Sequence, residues 1–271
     1  MRFAAALVVI VAAAAAGGVA LSRLAGTAAP QATGCTFAPA GSPAAYVLDL
    51  AQAQNAAVIA AVAGRDGLAD HAVTVALATA LRESGLRDLP YGDRDSVGLF
   101  QQRPSQGWGP RAELMDPVYA AGAFYARLAR VPGWATMPVT EAAQAVQHSA
   151  TPGAYGPWAG EASVLASALT GEEPAAVTCR LDGFAGAVPP PAELASAATR
   201  EMGSPLIGVP VSGPLGWRVA AWAVAHAWNY HLRQVTYGSW VWTARSGRWV
   251  DYDPAGVSAA GSSAVTVAYG T

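Results

Sequence analysis

The chain has 271 residues, 53% of them hydrophobic and 13% charged, with a formal net charge of -2. That composition excludes an intrinsically disordered polypeptide, and the length is enough to bury a sizeable core. All sixteen basic residues are arginine, they form no basic stripe, and no nucleic-acid partner is expected.

The first segment, MRFAAALVVIVAAAAAGGVALSRLAG, carries Arg2 and then nineteen uncharged residues from Phe3 to Leu21. A signal-peptide apolar region runs ~7–15 residues and a membrane-spanning helix ~20, so this one lies between the two classes. Small residues from Gly26 to Pro30 offer a cleavage site after Ala28 or Ala29. Residues 1–29 are expected to be a signal peptide or an N-terminal membrane anchor. Either one exports the remainder to the extracellular space or cell envelope, secreted or held by residues 3–21. Ala32 stands where a lipobox needs a larger aliphatic residue, so lipidation of Cys35 is not expected. In an exported protein an even pair of cysteines reads as a disulfide, here Cys35 with Cys179.

From residue 45 to 170 the apolar spacing is helical. Segment 47–67 repeats Val47, Leu50, Ala51, Val58 and Val62 and stops at Gly64 or Gly67. Segment 70–84 has Asp70 as a candidate N-cap and Val73, Leu77 and Leu81 on one stripe. A stretch rich in Gly, Pro, Asp and Ser then runs from Gly85 to Pro110, followed by helices over 116–131, 138–150 and 159–171. Residues 30–180 thus read as an all-α domain interrupted by one irregular loop, and loops of this length are mostly functional. Residues 181–205, with three consecutive prolines, read as a Pro/Ala-rich linker holding a short helix over 191–202. In 206–271, Trp217, Ala221, Val224, Ala225, Trp228 and Leu232 share a helical face and an alternating hairpin follows, giving a small α+β module. The expected fold class is mainly α. Six of the nine tryptophans fall in this module, where so small a unit needs bulky aromatics for its core; a glycan-stacking surface is the alternative.

Chemistry concentrates at ALRESGLRDLPYGDRDSVGLFQQRPSQGWG (80–109), where seven of the fourteen positions from Arg82 to Asp95 are charged. Glu83 closes its predicted helix. The negative end of a helix, and apolar neighbours such as Leu86, Phe100 or Trp108, both favour the protonated form of a carboxyl placed there. A protonated carboxyl can act as general acid toward a glycosidic oxygen.

Glu83-Ser84, followed fourteen positions after Ser84 by Gly98-Leu99-Phe100-Gln101 and then Pro104, resembles the superfamily of goose-type lysozymes and lytic transglycosylases. The longer string YGDRDSVGLFQQRPSQGWG (91–109) is similar to that of a group of exported actinobacterial lysozyme-like proteins. The resemblance covers roughly residues 45–170. It implies a lysozyme-like α domain with a long substrate loop, cleaving the β-1,4 bond between N-acetylmuramic acid and N-acetylglucosamine in peptidoglycan glycan strands. It also implies Glu83 as general acid, with sugar contacts from Gln101, Gln102 and the loop about Tyr91. Ser84 follows the acid directly and belongs to the expected substrate-binding set. Aromatic rings of Tyr91, Trp108 and Tyr155 are suited to stacking on pyranoses. The superfamily's later Ala-Tyr-Asn motif has no counterpart: 145–158 reads AVQHSATPGAYGPW, with Tyr155 but no Asn beside it, leaving Gln147 or His148 as substitutes. Asp93 and Asp95 are candidate second carboxylates for activating water; as turn residues they are equally suited to capping backbone groups. Arg82, Arg87 and Arg94 are the expected partners of these acids, and Arg103 is a candidate for meeting a peptide carboxylate.

The four histidines show no ligand-like spacing, and there is no phosphate loop or serine-nucleophile elbow, so no metal and no cofactor is expected. The chain therefore reads as a monomeric, exported lytic transglycosylase or muramidase. The alternative from another class is a non-catalytic wall-binding protein that keeps the cleft as a receptor.

Overall fold

The computed structural model describes residues 33–39, 44–149, 151, 153–184, 186–253 and 263–270. The expected export segment and its cleavage site lie outside them. No helix among the described residues is long and apolar enough to cross a membrane.

Two short strands, β1 (Gly34–Phe37) and β2 (Tyr46–Leu48), come first. The central helix α1 (Leu50–Arg65) begins at Leu50, not at 47, because Asp49 caps it. The Asp49 carboxylate accepts from Gln52 N at 2.9 Å while the Gln52 amide oxygen accepts from Asp49 N at 3.0 Å, a reciprocal capping box. Helix α2 (Asp70–Ser84) follows, with Asp70 as its first helical residue and Ala69 as the cap. After the irregular stretch come α3 (Arg111–Leu114) and α4 (Pro117–Leu128), whose N-cap Asp116 accepts from Val118 N at 2.9 Å. Helix α5 (Val139–Gln147) and helix α6 (Ala159–Thr170) complete this half, the latter stopped by left-handed Gly171. Ala-rich faces let α1 lie against α4 and α6, and α2 against α5 and α6, at close approach. The buried Tyr125 hydroxyl donates to Ile59 O at 3.0 Å and joins α4 to α1.

Strand β3 (Val177–Arg180) returns to pair antiparallel with β1, giving the sheet order β2-β1-β3. Cys35 stands opposite Cys179 in that register, and the two form a disulfide. Helix α7 (Pro191–Met202) packs on α1. Strand β4 (Pro210–Val211) precedes helix α8 (Gly213–Ala225), which lies against α1, α6, β3 and β5 (Leu232–Tyr237). Strands β6 (Trp240–Thr243), β7 (Arg248–Asp251), β8 (Ser263–Ala264) and β9 (Thr266–Tyr269) follow. They form a four-stranded antiparallel sheet of order β7-β6-β5-β9 and a small β4-β8 pair. Residues from Ala32 onward make one compact unit.

The expected mainly α class is corrected by these strands. Among the described residues helix takes 46% and strand 16%, in three sheets, so the fold is mixed α/β and the C-terminal part is β-rich. Strands of two to four residues are too short to show an alternation, and β3 finds β1 across the whole helical region.

All tryptophans of the tail but Trp228, which is exposed, are buried or half-buried. Trp222 and Trp242 are fully buried. Trp217 meets Tyr237, Trp240 and Trp249 edge-on at 5.2–5.8 Å, and Trp249 Nε1 donates to Val177 O. Glu201 on α7 is buried and accepts from Trp222 Nε1 at 2.7 Å, with His226 Nε2 at 3.2 Å, tying α7 to α8.

Candidate active site

Glu83 owes its position to how α2 ends. Gly85 adopts the left-handed conformation at φ 62°, Gly85 N donates to Leu81 O and Leu86 N donates to Ala80 O, both at 3.1 Å. The first is the single bond of a left-handed helix stop, and Leu86, itself at φ 60°, extends the stop by the second. Side chains of α1 satisfy the carbonyls beyond it: Gln52 Nε2 donates to Gly85 O and Asn55 Nδ2 to Leu86 O, each at 2.8 Å. Ser84 Oγ donates to Leu99 O at 2.7 Å and accepts from Arg87 N. The Ser84 hydroxyl thus locks the helix end to the loop; it is not among the side chains lining the cleft.

The stretch that follows is irregular but anchored. Leu86, Val97, Leu99 and Phe100 are fully buried, and Phe100 stacks on Phe124 of α4 at 4.7 Å. Burying a Leu or Phe side chain contributes about 1.5–3 kcal/mol each, which holds a loop that backbone pairing alone would not. Val97 and Gln102 exchange backbone hydrogen bonds at 3.0 Å in both directions. Gly98 sits between them at φ +75°, and a Cβ there would run into the Leu114 carbonyl oxygen. Gly85 has the same sign of φ but open space around it. Gly98→Ala is therefore expected to destabilise the protein by about 2–4 kcal/mol and Gly85→Ala by about 1–2 kcal/mol in urea unfolding. Equal losses would show that the Leu114 contact plays no part.

These elements enclose a cleft of about 290 Å³ lined by Glu83, Asp93, Ser96, Gln101, Arg103, Gln106, Trp108, Gln147, Ser149 and Tyr155. The Tyr155 hydroxyl donates to Glu83 Oε1 at 2.8 Å. It is the only hydrogen-bond partner of that carboxylate among the described residues. Burial, and then the neighbouring Glu83 charge, push the Tyr155 phenol far above its ordinary value, so it stays protonated and remains a donor. Its ring is fully buried and cannot stack on a sugar. Trp108 is also mostly covered, with the Arg127 guanidinium 3.5 Å over its ring. Tyr91, at 69% exposure, is the one ring of the three that stands open.

The two aspartates separate. Asp95 accepts from Arg103 Nε at 2.7 Å, Ser105 N at 2.8 Å and Ser105 Oγ at 3.0 Å. The backbone bond from Ser105 and the Arg103 guanidinium hold its carboxyl well below the usual carboxylate range; this is a loop clamp, not a base. Asp93 is almost fully exposed, lines the same cleft as Glu83, and its carboxylate meets only Arg94, at 3.9 Å, among the described residues. Arg87 pairs with Asp49 instead, at 2.6 Å.

The glutamines separate as well. Gln101, at φ 48°, directs Nε2 to Tyr91 O and Gly98 O at 3.3 and 3.2 Å while lining the cleft. Gln147 also lines it, but its Nε2 donates to Phe100 O at 2.8 Å. Gln102 does not face the cleft: it is buried and donates to Ala120 O at 3.0 Å. Ser96, Gln106 and Ser149 line the cleft without having been picked out from the sequence, because nothing in a lone Ser or Gln marks the face it will occupy. Of the six non-glycine residues with positive φ among the described residues, four (Leu86, Arg94, Gln101 and His148) fall in the segments that build the cleft, where backbone strain commonly gathers.

No protein-family model and no curated protein matches the chain. No group of three or more His, Cys, Asp or Glu among the described residues is placed to hold a metal ion.

Beneath the loop, Asp88 Oδ1 is buried without a hydrogen-bond partner. Desolvation, then the nearby Asp116 charge, raise its pKa to about 6 from the ordinary 3.8. The folded state therefore holds a proton that the unfolded chain releases, and stability falls as pH rises from about 4 to 6. The shift corresponds to at most ~3 kcal/mol, and partial exposure reduces it to roughly 1 kcal/mol. Asp88→Asn should raise the melting temperature at pH 7–8 and leave it unchanged near pH 3.5. An equal gain at both pH values would assign the effect to packing.

Proposed function

We propose that this protein cleaves the glycan strands of peptidoglycan at the bond between N-acetylmuramic acid and N-acetylglucosamine, with Glu83 as the acid. The observation that carries the reading is the Tyr155-Glu83 hydrogen bond in a cleft whose other walls are three glutamines and two serines, with Asp93, Arg103 and Trp108. Tyr155 fixes one carboxyl oxygen and leaves Oε2 with no protein partner among the described residues. An unengaged oxygen on an oriented carboxyl is what proton transfer to a bridging oxygen needs. Cleft amides and hydroxyls suit the acetamido and hydroxyl groups of such a strand, and Tyr91 offers a face for a pyranose.

In the reaction, Glu83 protonates the glycosidic oxygen as the bond breaks, and the hydroxyl that attacks the anomeric carbon gives its proton to a carboxylate. If that hydroxyl is the muramyl C6-OH, one carboxylate suffices and the product is an anhydro sugar. If it is water, Asp93 is the candidate base, since Asp95 is fully engaged. Mass spectrometry of muropeptides released from purified wall by the full chain distinguishes these, as anhydro-muramyl or reducing-end products.

A second reading, a wall-binding protein without turnover, is favoured by one observation. The Gln147 amide nitrogen already donates to Phe100 O, which leaves one N–H and the amide oxygen, in a fixed orientation, to meet a substrate acetamido group. Wall sedimenting with the protein while no muropeptide is released would establish that reading and overturn the enzymatic one.

A further inference from the structure

A second and larger cavity, about 630 Å³, lies away from the Glu83 cleft and shares none of its lining. Its size is within the ~300–1,000 Å³ of small-molecule sites. Four chain segments meet there side by side: Gly270 N donates to His231 O at 2.7 Å, Ala244 N to Arg233 O at 2.9 Å, and Leu181 N to Ala244 O at 3.0 Å. The walls include Arg180, Arg233, Arg245, Gln234, Phe184 and Asp182. Three arginines thus share the walls with one aspartate, in a chain whose overall charge is negative. Asp182 lies 3.5 Å from Arg180 Nε, while Arg233 and Arg245 have no ion-pair partner among the described residues.

The backbone is shaped to this arrangement. A regular strand sends successive side chains to opposite faces, but β5 shifts register between Leu232 and Gln234, and Arg233 and Gln234 line the same cavity. Just before the shift, His231 takes a positive φ of 51°. Its ring stacks on Phe184 at 5.0 Å, with Trp228 at 6.1 Å on the same phenyl ring. Phe184 is thereby held as an apolar wall beside the guanidinium groups.

We infer that this cavity binds a small molecule carrying a phosphate or carboxylate group joined to an apolar or planar body. The anion would take paired N–H donors from Arg233 and Arg245, and the body would lie along Phe184.

The test is calorimetric titration of the full chain at constant ionic strength with phenyl phosphate, benzoate and uncharged benzyl alcohol. One or both anions should bind saturably with unit stoichiometry and the alcohol should not; which anion binds tells phosphate from carboxylate. Arg233→Gln and Arg245→Gln should each weaken binding by about tenfold, the effect of losing one charge-assisted contact, with unchanged melting temperatures. Arg245→Lys, which keeps the charge but loses the planar fork, should fall between. No saturable binding of either anion, or equal binding by the Arg233→Gln/Arg245→Gln double variant, would overturn the inference. Neither result depends on whether the Glu83 cleft cleaves peptidoglycan.

Discussion

Glu83→Gln is expected to lower muropeptide release by about 10³-fold, the usual contribution of a positioned acid-base residue, while the melting temperature moves little. The amide is isosteric with the carboxyl and its oxygen still accepts from the Tyr155 hydroxyl, so the left-handed stop of α2 and the Ser84-Leu99 bond are undisturbed. What is lost is the ability to give up and take back a proton. Tyr155→Phe is the graded companion: the ring stays buried, one charge-assisted hydrogen bond disappears, and release should fall by roughly 10- to 100-fold, since such a bond contributes ~1.5–3 kcal/mol. Release rates by mass spectrometry, with circular dichroism melts on the same preparations, check both. Undiminished release by Glu83→Gln would remove Glu83 from the chemistry, whatever the products.

Replacing Cys35 and Cys179 together by alanine should cost about 5 kcal/mol on the chain-entropy account of a crosslink, because the bridge closes a separation of 144 residues. For a compact unit of this size that corresponds to roughly 10–20 °C in melting temperature. Both residues are buried, opposite one another in the β1-β3 register. The methyl groups left behind introduce no unpaired polar atom but vacate the volume of two buried sulfurs, so the loss combines the freedom regained by the unfolded chain with a smaller cavity cost. Calorimetry of the variant, and of the native chain with reductant, should give the same lowered transition. A variant melting within a few degrees of the native chain would mean that the crosslink adds little to the hydrogen-bonded pairing of the two strands.

What the sequence by itself determined was whatever depends on neighbours one or two helical turns apart. The end of α2 at Ser84-Gly85, the irregular run that follows, the Asp116-Pro117 start of α4 and the Gly171 stop of α6 are set by capping side chains, missing donors and glycine conformations. Glu83 stood out there too, since a charged run against an Ala-rich helix is visible without a fold. The tertiary structure decided the rest. The β2-β1-β3 sheet joins strands too short to show a period, with β1 and β3 separated by the whole helical region. Tyr155 reaches Glu83 across 72 residues, which turned an expected stacking ring into a buried donor. Asp93 and Asp95, alike in sequence, part company because Arg103 and Ser105 reach only one of them. Gln101 and Gln102 do so because adjacent residues in the Val97-Gln102 turn point to different sides. Local signals name the residue types and where the chain bends. Which side chain faces the cleft depends on packing between distant segments, and the one-dimensional pattern carries no record of that.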